Sequence, residues 1–360
     1  MGALYSLSSC EVRKLMIRFF RIRANGQRVW IPRNHNHELL MIDLPHIRIG
    51  HLKIFDHLIL GVAHLHLEQQ SGSLSRSILE PVSMNAWQPV SESLLDQDID
   101  GAFIPAPLAM DLFASGLDIR LLMFTHRAGS VILKSRVSDI KTLDGFRGKI
   151  VLVPAEFSIQ NMFLHRLLSS AGLSFGAHDQ KTVDVVREIV PSYLMADMAA
   201  ADTDQDIAGF AVEEPFGSVA EEKGLVRRIC TTGSLWKNHP GSVFVLKRSF
   251  IENYPEAVKE IISLFVRTAG WIEENKNEAL LSLARLFLGQ DREMIRFILF
   301  KTDLTYDIPL LVPDPEALNI IQEYMSGAMG VMTAGIDVNH LIDRSFILEI
   351  VSENHIENTN

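Results

Sequence analysis

From Ile47 onward the chain alternates short apolar, strand-like segments with longer segments of helical periodicity, and no other feature restricts its fold as strongly. IRIGHL alternates as a strand, Asp56 stands where it can cap HLILGVAHLHLEQQ, and LEPVSM is followed by a helix over about 88–96. IDGAFIPA ends in Pro105-Ala106-Pro107, with Pro107 placed for the first turn of LAMDLFASG, and IRLLMFTHR is a fourth strand. A second run begins near Gly129. It holds KIVLVP, a helix IQNMFLHRLLSSAGL that Ser158 can cap, VDVVREIVP and DIAGFAVEEP. Such βαβα alternation implies an α/β fold with largely parallel sheet, whose ligand site lies beyond the carboxyl ends of the strands. Past Pro240 the pattern changes to one strand, GSVFVLKRSF, and then long helices, so the C-terminal third reads as helical cover.

An internal echo suggests how the two runs connect. GSVILK from Gly129 and GSVFVLK from Gly241 bracket the second run. If one carries the chain out of a first lobe and the other carries it back, they form a two-strand hinge. The alternative is a chance match between two strands of common composition. With 360 residues there is room for two α/β lobes. The expected layout is a poorly patterned extension over 1–45, a discontinuous first lobe over 46–127 and 243–350, a second lobe over 128–242, and a tail over 351–360.

Charge and cysteine usage exclude several classes of function. A formal charge of −10 without any basic, aromatic-interleaved stripe argues against nucleic-acid binding. The two cysteines, Cys10 and Cys230, have neither metal-ligand spacing nor the density of a disulfide scaffold, so reduced thiols are expected. His57, His64 and His66 crowd one predicted helix, but no pair of them has the i, i+4 spacing of a helical zinc site. No nucleophile elbow or phosphate-binding glycine loop is present, and neither metal nor cofactor is expected. The N-terminal segment VRKLMIRFFRIRANGQRVWI is interrupted by Arg every few residues, which predicts no signal peptide and a cytoplasmic chain. No apolar run has the length of a membrane span.

The order of motifs adds a resemblance. IRIGHLKIFDHLILGVA, DGAFIPAPLAMDLFASGLDIRLL, HRAGSVILK, TLDGFRGKIVLVP, AGFAVEEPFGSVAEEKG, SLWKNHPGSVFVLKRSFIENYPEAVKE and DVNHLIDRSFILE follow one another over roughly residues 46–350. In that order they resemble the substrate-binding proteins of ABC importers for nitrate, bicarbonate, sulfonates, taurine and thiamine precursors. The Glu-Pro-aromatic turn and Trp-Lys-x-His-Pro look most like the nitrate and bicarbonate branch. The resemblance implies a two-lobed type II periplasmic-binding fold, usually periplasmic, with one small anionic or zwitterionic ligand clamped between lobes. It also implies permease and ATPase partners and a monomeric binding protein.

Six residues stand out as candidate ligand contacts. Glu214 ends a strand at a turn-forming proline, which delivers it to the carboxyl edge of a sheet, and it matches the family's Glu-Pro position. It can equally pair with a cation or cap a neighbouring helix, and Glu213 before it faces the other side of the strand. In Trp236-Lys237-Asn238-His239-Pro240, Lys237 offers a compact charge, His239 a second donor and Trp236 an apolar wall, though a solvated turn reads the same way. By resemblance Lys237 is the anion-contacting lysine. Ser158 and Gln160 sit at a helix N-terminus with free N–H groups, and by resemblance Gln160 occupies a polar cleft position. Ala106 is a departure, because relatives often place Thr, Ser or Gly in that loop, which puts nitrate itself in doubt. Asp56 reads as a helix cap.

Three functions fit this reading. The leading one is a solute-binding protein without enzymatic activity. The others are a cytosolic sensor of the nitrate type and a cytoplasmic enzyme on the same fold, as in menaquinone- or thiamine-precursor synthesis.

Overall fold

The computed structural model describes residues 19–24, 27–32, 44–69, 74–136, 140–178, 183–333 and 335–357. The chain divides into two units, 1–44 and 45–360. In the first, β1 (Phe19–Ala24) and β2 (Gln27–Pro32) pair antiparallel as a hairpin, where a poorly patterned extension was expected. Cys10 lies outside the described residues.

The second unit is built on two sheets. The first contains β3 (His46–His51), β4 (Ile78–Ser83), β5 (Gly101–Pro105), β6 (Ile119–Phe124) and, from much later in the chain, β13 (Ser242–Lys247). Their order is β4-β3-β5-β13-β6, with β3 parallel to β4 and β5, and β13 antiparallel to both neighbours. Every residue of β5 is buried, as expected for a strand covered on both faces. The second sheet contains β7 (Ser130–Ser135), β8 (Lys149–Val153), β9 (Phe175–Gly176), β10 (Val185–Ile189), β11 (Ile207–Glu213) and β12 (Val226–Thr231). It runs β12-β7-β11-β8-β10-β9, with β11, β8, β10 and β9 mutually parallel and β7 antiparallel. Gly209 lies in β11 at a register shift, where a Cβ would collide with the carbonyl oxygen of Leu133 on the adjacent strand.

The echoed segments are β7 and β13, each inside its own sheet. The crossings themselves lie just ahead of them. Residues 125–129 carry the chain from β6 to β7, and residues 232–241 carry it from β12 back to β13. The two crossings touch: Ala128 N–H donates to the His239 carbonyl at 3.1 Å, and Arg127 bridges to Pro240.

Helices of the C-terminal third cover the first sheet. Pro255–Glu274 buries Val258, Ile261, Ile262, Phe265, Val266, Ala269 and Ile272, a spacing of three and four that makes one apolar stripe. It packs against Leu58–Gln69 and Ser345–Glu357. The last of these runs past 351, where a tail was expected. Asn277, Asp291 and Asp314 cap the helices that follow them, and Gly289, at φ 68°, ends one. Among the described residues no helix is long and apolar enough to cross a membrane.

Candidate functional site

The carboxyl ends of the parallel strands in the two sheets face one another across a cleft. Its floor is closed by a direct contact: the turn Phe55–His57 after β3 offers the Phe55 N–H to the Glu214 carbonyl at the end of β11, at 3.0 Å. The Tyr306 hydroxyl holds the same turn by donating to the Phe55 carbonyl at 2.6 Å. Asp56, expected to cap the following helix, instead turns inward and is 3% exposed. Its Oδ2 accepts from Ser242 Oγ at 3.4 Å and lies 3.3 Å from His126 Nε2, while Oδ1 has no partner. Burial pushes this carboxyl well above its ordinary range, and the nearby charge of Glu213 adds to the effect.

Glu213 and Gln160 form the opposite side of the floor. Glu213, fully buried, accepts from Ser192 Oγ at 2.7 Å and from Gln160 Nε2 at 3.4 Å. Gln160 Nε2 also donates to Ser130 Oγ at 3.0 Å, which leaves Gln160 Oε1 buried without a donor. Burial raises the Glu213 carboxyl, and neither oxygen has a cation as hydrogen-bond or ion-pair partner. Two polar atoms without a partner, Asp56 Oδ1 and Gln160 Oε1, therefore lie buried in this floor, and His126 Nε2 has only the Asp56 carboxylate within reach.

The other candidates separate from this group. Glu214 is also fully buried, but it faces Arg228, whose Nη2 stands 2.9 Å from Oε1. Ser218 completes its shell, with N–H to Oε2 at 2.8 Å and Oγ to Oε1 at 2.9 Å, so this carboxylate pairs with a cation and holds the first turn of Phe216–Glu222. Burial pushes its carboxyl up, and Arg228 and Ser218 pull it back. Ser158 caps Ile159–Ser170 by accepting from Asn161 N–H at 3.2 Å. Ala106 N–H is taken by the Gly241 carbonyl at 2.9 Å. His239, within the second crossing, is fully buried, with Nδ1 2.9 Å from the Pro240 carbonyl, Nε2 2.8 Å from Thr232 Oγ1, and its ring 4.7 Å from that of Phe163. Burial holds its imidazole down at about 4. Lys237 is exposed and has no hydrogen bond or ion pair among the described residues. Only Gln160, of the six, shares the floor with Asp56, His126 and Glu213.

Two cavities flank the floor, each walled from both sheets. The larger, about 650 Å³, lies between the segments following β4 and β5 and the segments following β8 and β10; Trp87, Leu108, Asp111, Glu156 and Phe157 line it. The smaller, about 340 Å³, is lined by Lys53, Ser83, Asn85, Tyr193 and Phe216. Sequence reasoning did not single out Lys53, Trp87, Asp111 or His126. Their only signal was position: Lys53 and Trp87 a few residues beyond a predicted strand, Asp111 in the helix after one, and His126 near the end of another.

With this geometry in hand, comparison with known proteins gives a consistent family. The model of the NMT1-like family matches residues 41–286. A nitrate import ATP-binding protein, NrtC of Synechocystis sp., is 24% identical over 230 residues, which is 60% of this chain and 34% of that protein, so the chain spans about a third of that relative's length. Among solved structures, the periplasmic nitrate-binding protein NrtA of Synechocystis aligns over 86% of this chain and 89% of that one, at 18% identity and a TM-score of 0.74. The desulfurization enzyme DSZB aligns over 86% and 99%, at 14% identity and a TM-score of 0.62. These likenesses show the two-lobed periplasmic-binding fold, and the family match covers well over half of the sequence: the chain belongs to the NMT1-like family.

Proposed function

We propose that this chain is the solute-binding protein of an ABC-type importer and captures one small charged solute between two lobes, 46–127 with 243–350 and 128–242. The observation that carries this reading is the pair of cavities walled from both sheets. A solute held there touches both halves at once, so it favours the closed arrangement by its differential affinity for it. NrtC and NrtA, a nitrate import protein and a nitrate-binding protein, support an importer with permease and ATPase partners.

Chemistry in the cleft is the rival, since DSZB shares the fold. Cys230, the cysteine of the described residues, lines neither cavity, and burial raises its thiol, so it does not supply a thiolate nucleophile for such chemistry. Calorimetry with nitrate, bicarbonate, ethanesulfonate and aminopyrimidines, paired with small-angle scattering, tests the proposal. One-to-one binding with compaction and full recovery of the solute is expected. Product formation from any of these compounds overturns it.

A further inference from the structure

The smaller cleft cavity is built at the ends of four strands. In the first sheet β3 and β4 run parallel with His51 opposite Ser83, so the chain leaves both strands at one level and sets Lys53 beside Ser83 and Asn85. From the second sheet come Tyr193, a few residues beyond β10, and Phe216, just beyond β11. Each lobe therefore supplies part of the wall.

Four polar side chains meet in this cavity: one ammonium, two hydroxyls and one amide. Lys53, Ser83, Asn85 and Tyr193 are all exposed, and none has a side-chain hydrogen bond or ion pair among the described residues. Every one of them can donate. Among the described residues no carboxylate lines the cavity, and the Lys53 ammonium is the one charge in its wall. The helix Ser192–Ala201, which carries Tyr193 in its first turn, has no side-chain cap, so its positive end adds to the same sign. The larger cavity is the opposite case, lined by Glu92, Asp111 and Glu156 and by no lysine, arginine or histidine. An anion entering the cleft is repelled by the one and drawn to the other. Leu52, Met84 and Phe216 complete the smaller cavity with apolar surface, and its volume of about 340 Å³ suits a small organic molecule. A bare inorganic oxyanion would leave that surface uncovered.

We infer that the smaller cavity takes an organic monoanion, its carboxylate or sulfonate head on Lys53, Ser83 and Asn85 and its short apolar tail against Leu52, Met84 and Phe216, with Tyr193 closing on it from the second lobe. This rests on the solute-binding reading and names the class of its solute. It also places the charge contact at Lys53 beyond β3, not at Lys237 in the crossing.

A matched series tests it by calorimetry paired with small-angle scattering: 1-butanesulfonate, butanoate, 1-butanol and butylammonium, alongside nitrate, bicarbonate and the aminopyrimidines. One of the two organic anions is expected to bind one-to-one with compaction, at least about tenfold more tightly than any other class in the series, and which of them binds separates a sulfonate head from a carboxylate. Lys53→Gln, at an exposed position without a protein partner, should fold normally and weaken that anion about tenfold, while Lys53→Arg, which keeps the charge, should retain most of the affinity. Lys237→Ala should weaken it less than Lys53→Gln. Tighter binding of the alcohol, the amine, the aminopyrimidines or the inorganic anions overturns the solute class, and an organic anion that ignores Lys53→Gln overturns the site. In each of those cases one-to-one binding with compaction leaves the solute-binding reading standing. If no compound in the series binds, both fall.

Discussion

Glu213 and Glu214 are neighbours in sequence and equally buried, yet they belong to different kinds of site. Glu214 looks into a corner that supplies a guanidinium, a hydroxyl and a backbone N–H, and Arg228 also binds Glu221 at 2.6 Å. Glu213 looks into the cleft floor, where its partners are the neutral side chains of Ser192 and Gln160 and where its charge acts on the Asp56 carboxyl. The corner is a closed ionic network whose members satisfy one another. The floor is a set of buried titratable groups with spare hydrogen-bonding capacity and little opposite charge. Adjacent identical residues thus become a structural brace and a site group, according to which face of the strand each occupies.

Acid should have the largest effect, through the buried imidazoles of His126 in the floor and His239 in the neighbouring crossing. Burial holds His239 down at about 4, from an ordinary value of 6.5, and holds His126 at about 3. A lowered folded-state value means that the unfolded chain takes up the proton first. The stability these imidazoles contribute is therefore full above pH 6.5 and drains as pH falls toward 4, by about 3 kcal/mol at pH 4 from His239 alone. The raised carboxyls of Asp56 and Glu213 work in the opposite sense, contributing most in acid and less as pH rises through their folded values. Urea denaturation at pH 7 and pH 4.5 should show the loss, and His239→Gln should flatten it. An unchanged slope in that variant would mean that His239 is not the group whose protonation drives the loss.

Substitution of the glutamates sharpens it next. Glu214→Gln removes the charge that matches Arg228 and sets an amide where three donors need acceptors, so a loss of about 3 kcal/mol is expected. Glu213→Gln keeps the shape and loses no ion pair, so about 1 kcal/mol is expected, with the difference from wild type largest at low pH. Equal losses in the two variants at pH 7 would mean that the floor is braced like the corner. The smallest effect belongs to the crossing: Lys237→Ala should change stability by less than about 0.5 kcal/mol, since the side chain is exposed and unpaired. If it nevertheless weakens solute binding, measured by calorimetry, the turn contributes to capture directly.

Much of this molecule was legible before any coordinates. Hydrophobic period separates strands of two from helices of three to four, and here it located most of the long helices and the strands β3 to β6, β8, β10, β11 and β13, while the helices Ser192–Ala201 and Ser345–Glu357 were missed. Ser158 as a cap followed from its chemistry at a helix start, because capping depends on neighbours three residues away. The hairpin β1–β2 was missed, although Phe20 and Ile22 alternate with arginines and Asn25-Gly26 is a hairpin dipeptide in the sequence. Asp56 was misread for a different reason. An aspartate before an apolar helix fits a cap, and only the distant Ser242 and His126 draw it into the floor.

What the sequence determined by itself was therefore the local periodicity, the order of elements and, through motif order, the family. What the tertiary structure decided was which buried polar groups share a space: Glu213 with Gln160 across 53 positions, Asp56 with Ser242 across 186, and Trp87 with Glu156 around one cavity. Those pairings depend on how two sheets close against each other. Closure is fixed by packing between residues far apart in the chain, and no local pattern encodes it.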